Sequence, residues 1–266
     1  MGSEMCIRDS INPAIPNFKG LLPLDPAAGS AEQTIEAFAK NTVLLQLRKG
    51  KGKNEIGSGI YITPDLILTA AHIADEFKKS KLVWVNYSQR LSPPSFEAFA
   101  TKTYVLKAWR DDDNHHGEDL GLIKTARARK DFHPIEYGPY NPVQPLKIRD
   151  NDHLPVIIPS FHGMSMINNR FDEQQYLGRG HILNTRDKGE YCEADHDIKT
   201  WPGWSGSPLL HAIDSSGERY RLIGIHVHGK EDRNIASLFT RRLIAEFLIL
   251  KQGAPPSKDL WRQSWP

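Results

Sequence analysis

Three short strings in this chain hold the residue types that nucleophilic acyl chemistry needs. The first is Leu66-Ile67-Leu68-Thr69-Ala70-Ala71-His72, an apolar strand that runs into small residues and then a histidine. The alanines allow a tight turn, so an imidazole is presented at the end of the strand. The second is Asp119-Leu120-Gly121-Leu122-Ile123-Lys124, in which an acid opens an apolar strand. A buried aspartate there is suited to fixing the tautomer and orientation of an imidazole. The third is Gly203-Trp204-Ser205-Gly206-Ser207-Pro208. A nucleophilic serine needs an exposed hydroxyl and nearby N–H donors for the developing oxyanion. Gly203 offers an N–H with no side chain in the way, and Gly206 permits a sharp bend behind Ser205. Each string alone has a plain structural reading: a core histidine, a turn-satisfying aspartate, a glycine turn. Together they stand in the order His72, Asp119, Ser205, each beside a strand that could carry it. An α/β-hydrolase site is excluded, because its order is Ser, Asp, His and its serine lies between a strand and a helix.

The elements that must position these residues read almost entirely as strands. Residues 11 to 30 are broken by Pro13, Pro16, Pro23 and Pro26, and residues 31 to 40 suit a short helix. β-Candidates follow at 42–47, 58–62, 66–69, 82–87, 99–109 and 120–124, with 49–57 joining the first two as a hairpin. A proline-punctuated connector covers roughly 126 to 151. Beyond it come 156–158, closed by Pro159, then 175–183, 191–198, 207–211, 220–228 and 236–239. Residues 240 to 251 give a helical apolar face of Leu243, Ile244, Phe247, Leu248 and Leu250, ended by Gly253, Pro255 and Pro256. The expected architecture is all-β, two antiparallel six-stranded barrels with a C-terminal helix. Residues 1–40 form the lead-in, 41–135 the first barrel and 136–266 the second. His72 and Asp119 then belong to the first half and Ser205 to the second, so a site would form in the cleft between them.

These motifs resemble the trypsin-like serine proteases of chymotrypsin fold. Ser58-Gly59-Ile60-Tyr61 through His72, the Asp119 strand and the Ser205 loop carry the resemblance, which spans roughly residues 40 to 250. It implies a triad of His72, Asp119 and Ser205, an oxyanion hole from the N–H groups of Gly203 and Ser205, and a peptide or protein substrate. It further implies that Val227-His228-Gly229 pairs with the substrate main chain. Within the class the chain is similar to the bacterial glutamyl endopeptidases, through its Ser-Gly-Ser-Pro loop and the strand Ile223-Gly224-Ile225-His226. In that group a hydroxyl residue five positions before the nucleophile, here Thr200, joins this histidine in binding an acidic side chain. A hydroxyl donor and a chargeable imidazole suit a carboxylate. Lys199 adds positive potential only if it turns inward. Trp204 departs from the family, which has a small or acidic residue there, so activation through a salt bridge to a new N-terminus is not expected. The alternative is a protease-fold binding protein that has lost turnover. A housekeeping protease with a PDZ module is not expected, since about 15 residues follow the helix.

Bulk properties are compatible with this and narrow it little. The 266 residues carry a formal net charge of +2, with 39% hydrophobic and 25% charged residues. No polyanionic partner is demanded. The cluster Arg48 to Lys53 reads as a solvated hairpin tip, since a nucleic-acid patch would interleave aromatics. No run of about 18 apolar residues exists, so no membrane span is expected. No metal or cofactor is required. His226 and His228 share a strand face as i and i+2, but spacing supplies no third ligand. His115 and His116 read as solvated loop residues. Met1 to Ser10 resembles a translated sequencing adapter and is set aside from fold reasoning. Cys192 is then a lone thiol, and the fold must hold without disulfides. Cysteine usage does not fix the compartment; secretion is what the resemblance implies. Oligomeric state is left open.

Overall fold

The computed structural model describes residues 22–23, 30–49, 53–77, 83–86, 98–110, 116–130, 132–136, 153–161, 166–167, 170–171, 175–188, 191–213, 219–229 and 233–265. The leader and its Cys6, the tip at 50–52, His115, the turn at 214–217 and most of the connector lie outside them. In chain order the elements are β1 (Leu22–Pro23), α1 (Ser30–Asn41), β2 (Thr42–Lys49), β3 (Lys53–Thr63), β4 (Leu66–Thr69), α2 (Ala71–Glu76), β5 (Val83–Asn86) and β6 (Ala100–Leu106). A 3-10 turn (His116–Glu118) and β7 (Gly121–Thr125) follow. Then come β8 (Leu154–Phe161), the hairpin β9 (Met166–Ile167) and β10 (Arg170–Phe171), β11 (Gln175–Asp187), β12 (Cys192–His196), β13 (Pro208–Ala212), β14 (Tyr220–Gly229), β15 (Asn234–Leu238), α3 (Arg241–Lys251) and β16 (Trp261–Trp265).

The expected chymotrypsin-like, antiparallel architecture is present. β8, β11, β12, β15, β14 and β13 form a closed six-stranded barrel. Closure depends on the length of β11: residues 175–182 pair with β8 and residues 182–187 pair with β12. The first sheet runs β5-β2-β3-β4-β7-β6-β16 and has a seventh strand that sequence reading did not anticipate. Among the described residues β5 and β6 do not pair with each other, and β16 takes the outer side of β6, with Trp261 opposite Leu106 and Gln263 opposite Tyr104. The C-terminal segment therefore leaves the second barrel and returns to the first sheet. It is fixed there by burial of Trp261 and by a 2.7 Å contact between Ser264 Oγ and Thr103 Oγ1. Edge pairing of this kind leaves little apolar period in the strand itself.

Two sequence expectations change locally. Pro159 does not close β8; it lies inside it, opposite Leu177. On the other side β13 pairs only with Val156 and Ile157, so a residue without an N–H is tolerated at 159. In α3 the buried face is Leu243, Phe247 and Leu250, while Leu248 is 51% exposed. The helix starts at a Thr240 cap whose Oγ1 accepts the Leu243 N–H, and its buried Glu246 accepts the Ser257 N–H at 2.7 Å. No helix among the described residues is long and apolar enough to cross a membrane.

One apolar cluster fills the closed barrel, including Val156, Ile158, Ile182, Trp204, Leu209, Ile223 and Leu238. A larger one joins the interior of the first sheet, including Ile60, Leu68 and Leu122, to Ile157, Leu210, Ile225, Val227 and α3. The seam between the two sheets is therefore continuous core, which holds their facing residues in fixed register.

Candidate active site

His72 lies in the first turn of α2, immediately after the buried strand β4. Ala70, Ala71 and Ala74 are all fully buried, and their small size lets α2 lie directly on β7. Gly121 completes the fit, since a Cβ there would stand 2.5 Å from Ala74 Cβ. The alanines thus serve a close helix–strand contact as well as the turn expected from sequence. That contact brings His72 to Asp119, which is 5% exposed and precedes β7 by two residues. Asp119 holds His72 at two points. Its Oδ1 accepts the His72 backbone N–H at 2.9 Å, and its Oδ2 lies 2.7 Å from Nδ1. A carboxylate only accepts, so Nδ1 carries the hydrogen and Nε2 is left as the basic nitrogen. The first bond also satisfies an orphan N–H of the helix, whose cap residue Ala70 has no side chain to offer.

Ser205 sits between two tight turns in which Trp204 N–H donates to Trp201 O and Ser207 N–H to Trp204 O. Gly203 and Gly206 have φ of 93° and 89°, the left-handed region where glycine is at home. A Cβ on Gly206 would also run into Ser58 O and Thr69 Oγ1. The loop is held from both sheets. Ser58 N–H donates to Ser205 O at 2.7 Å, and Gly206 N–H donates to His226 O at 2.8 Å. Thr69, three residues before His72, donates to Ser58 O at 2.6 Å. His72 and Ser205 are therefore anchored through the same residue of β3. Ser205 Oγ donates to Val227 O at 3.4 Å, so in this state its hydrogen bond runs to β14 and not to His72. Catalytic hydrogen bonds are commonly loose before substrate binds. Among the described residues the N–H groups of Gly203 and Ser205 have no protein acceptor, which leaves both donors available. The Trp204 side chain is fully buried in the barrel core against Ile198 and Trp201. Gly178 makes its space: a Cβ there would lie 3.0 Å from the indole.

Beside this centre Thr200 Oγ1 donates to Asn234 Oδ1 at 2.7 Å, and Asn234 Nδ2 donates to Ile198 O at 2.7 Å. Asn234 pairs with Gly229 in the β14–β15 ladder, and a Cβ on Gly229 would come 3.4 Å from Thr200 Oγ1. Thr200, Gly229 and Asn234 therefore form one wall. His226 lies on the same strand, 2% exposed, with Nδ1 3.1 Å from Nε2 of the fully buried His196. Burial, followed by the neighbouring imidazoles of His196, His228 and His72, holds His226 well below the usual histidine range. Burial likewise lowers His196 to about 4. Both imidazoles are neutral near pH 7, so His226 carries no standing charge in this state. Lys199 is exposed. A bulge separates His226 from His228.

His116 departs from expectation. It is 8% exposed, and its ring stacks on His228 at 4.8 Å. The cause is the 3-10 turn before Asp119, which docks on the closed barrel where Ser237 Oγ donates to Gly117 O at 2.6 Å. Sequence reading also missed His196 and Asn234. His196 was visible only as one polar residue within an expected strand, and Asn234 lies in a strand placed two residues too late.

A family model for the trypsin-like peptidase domain matches residues 57–225, well over half of the chain. No curated protein matches it in sequence. Among solved structures the chain is similar to a Glu endopeptidase in complex with MPD, with TM-score 0.60 and 18% identity over 88% of this chain and 97% of that one. It is also similar to an inactive serine-to-alanine form of Rv3671c from M. tuberculosis, with TM-score 0.50 and 17% identity over the same shares. At these identities the two likenesses speak for the fold.

Proposed function

The chain belongs to the trypsin-like peptidase family, and from that premise we propose that it is a serine endopeptidase with His72, Asp119 and Ser205 as catalytic residues. The observation that carries this reading is the two-point hold of Asp119 on His72, at 2.9 and 2.7 Å, which leaves Nε2 as the base. Ser205 Oγ swings from Val227 O to His72 and attacks the peptide carbonyl as Nε2 takes its proton. The oxyanion is met by the N–H groups of Gly203 and Ser205. The imidazolium formed is stabilised by Asp119, and Nε2 then protonates the leaving amine. Water enters, gives a proton to Nε2 and hydrolyses the acyl-enzyme, after which Ser205 recovers its proton. The substrate main chain pairs with Val227, His228 and Gly229.

The side chain before the scissile bond is acidic, preferably Glu. Support comes from Thr200 beside Gly229 and from the buried His226 three residues before Gly229 on the same strand. The likeness to a Glu endopeptidase agrees with this. Thr200 must turn its hydroxyl away from Asn234 to reach a carboxylate. His226 is neutral when the pocket is empty, and an arriving carboxylate raises its proton affinity. Replacing Ser205 with alanine should lower turnover of casein or a peptide ester by roughly 10⁴-fold or more; full retention rejects the assignment. Peptides with Glu, Asp, Phe or Arg before the scissile bond test the pocket, and a preference for Arg overturns it.

A further inference from the structure

Three serine hydroxyls are buried in the seam between the sheets, one each from β3, β8 and the loop leading into β13. Ser58, Ser160 and Ser207 are all fully buried. Ser58 Oγ donates to Gly203 O at 2.8 Å. It lies 3.2 Å from Ser160 Oγ, which lies 2.5 Å from Ser207 Oγ. A carbonyl only accepts, so the proton of Ser58 is spent on Gly203. Ser160 Oγ has two acceptors, Ser58 Oγ at 3.2 Å and Phe161 O at the longer 3.4 Å, and its proton goes to the nearer one, so the last contact takes that of Ser207. A single assignment lets all three contacts carry a proton: Ser207 to Ser160, Ser160 to Ser58, Ser58 to Gly203.

We infer that Ser58, with Ser160 and Ser207 behind it, is a positioning residue that fixes the oxyanion loop in its donating shape. The peptide between Gly203 and Trp204 is gripped at both ends, its carbonyl by Ser58 Oγ and its N–H by Trp201 O. On the far side of Trp204 the backbone N–H of Ser58 grips Ser205 O. One residue of the first sheet thus clamps the carbonyls of the two residues on either side of Trp204. Gly203, at φ 93°, has no side chain to hold its peptides in place. Without the hydroxyl its carbonyl loses its partner while the two backbone holds remain, so turning the Gly203 N–H away from the reacting oxygen costs less. The inference rests on the serine-peptidase reading and adds a residue that touches no substrate.

The test uses the full chain and the variants Ser58→Ala, Ser207→Ala, the double variant, Ser58→Thr and Ser205→Ala. For Ser58→Ala, kcat should fall roughly tenfold, the effect of one net hydrogen bond, with KM unchanged. That is short of the roughly 10²–10³-fold loss when an oxyanion donor is removed outright. Affinity for a peptide aldehyde, which forms a tetrahedral adduct, should fall by the same factor, while affinity for a non-covalent product peptide stays constant. Ser207→Ala should act in the same direction and more weakly. The double variant should be no worse than Ser58→Ala, and Ser58→Thr should recover most of the loss. If Ser58→Ala does not fold, Ser207→Ala carries the same reading. Folded variants with unchanged kcat, or with a raised KM and unchanged aldehyde affinity, overturn the inference. Should Ser205→Ala keep full turnover, the peptidase reading fails and this inference with it. Should Ser205→Ala abolish turnover while the seam variants match the parent, the inference alone fails.

Discussion

Asp119→Asn isolates what the carboxylate does for His72. The asparagine oxygen can still accept the His72 backbone N–H, now accepted at 2.9 Å. The helix anchor and the loop shape are therefore kept. The other atom becomes an NH₂ facing Nδ1, where a carboxylate oxygen now stands at 2.7 Å. Two donors cannot share that contact, so Nδ1 must accept and the ring hydrogen moves to Nε2. The base is then blocked by its own proton, and the charge that stabilises the imidazolium is gone. A wrong-tautomer histidine of this kind costs roughly 10⁴-fold in kcat, or about 5 kcal/mol of transition-state stabilisation. Stability should change by only about 1 kcal/mol, because one neutral hydrogen bond replaces a charge-assisted one. Asp119→Ala should also release the helix N–H and lose roughly 2–3 kcal/mol. The assay is kcat/KM on a peptide ester and a peptide amide, with urea unfolding alongside. A folded Asp119→Asn protein retaining more than about a tenth of parent activity would refute the reasoning.

Further consequences can be checked with the same preparations. Gly206→Ala forces a Cβ into Ser58 O and Thr69 Oγ1 at a φ of 89°; urea unfolding should show a loss of roughly 3 kcal/mol or more, and activity should vanish. Gly178→Val should displace the Trp204 indole, lowering stability by about 1–3 kcal/mol and shifting tryptophan fluorescence. Burial depresses His196 to about 4 in the fold, so above its ordinary value of about 6.5 it exacts no penalty, and stability drains as pH falls from there toward about 4. At pH 5 the loss is about 2 kcal/mol, read from urea curves at neutral and acid pH, and a His196→Asn variant should lack that share. Thr200→Val should lower kcat/KM for Glu peptides about tenfold and leave Phe peptides unchanged; equal losses would remove Thr200 from the pocket.

Much of this was legible before any coordinates, for physical reasons that differ by element. Residues 66–68 show no alternation and are apolar throughout, which suits a central strand covered on both faces, and β4 is those residues with Thr69. The alanines before His72 and Gly206 after Ser205 carry meaning because each marks a close approach that a larger residue would block, and Gly203 because its φ of 93° suits glycine. The apolar face of residues 240–251 was equally plain, though the Thr240 cap that opens the helix was not read from it. What stayed hidden depends on partners remote in sequence. β16 is stabilised by the β6 edge more than by its own pattern. His116 looked solvated inside a charged string, yet the 3-10 turn buries it against His228. The Ser58–Ser160–Ser207 chain joins residues about 50 and 100 positions apart, and no local pattern marks a buried serine. The space for the Trp204 indole is left by Gly178, on another strand, and nothing near residue 204 in the sequence marks it.

A fluorophosphonate probe followed by peptide mass mapping interrogates the proposed chemistry at its source, since only an activated alcohol attacks phosphorus at neutral pH. One equivalent should attach, on Ser205, and the adduct should disappear when His72 is changed to alanine in a protein that still folds. An unmodified Ser205, or labelling that proceeds equally without the imidazole, would contradict the account.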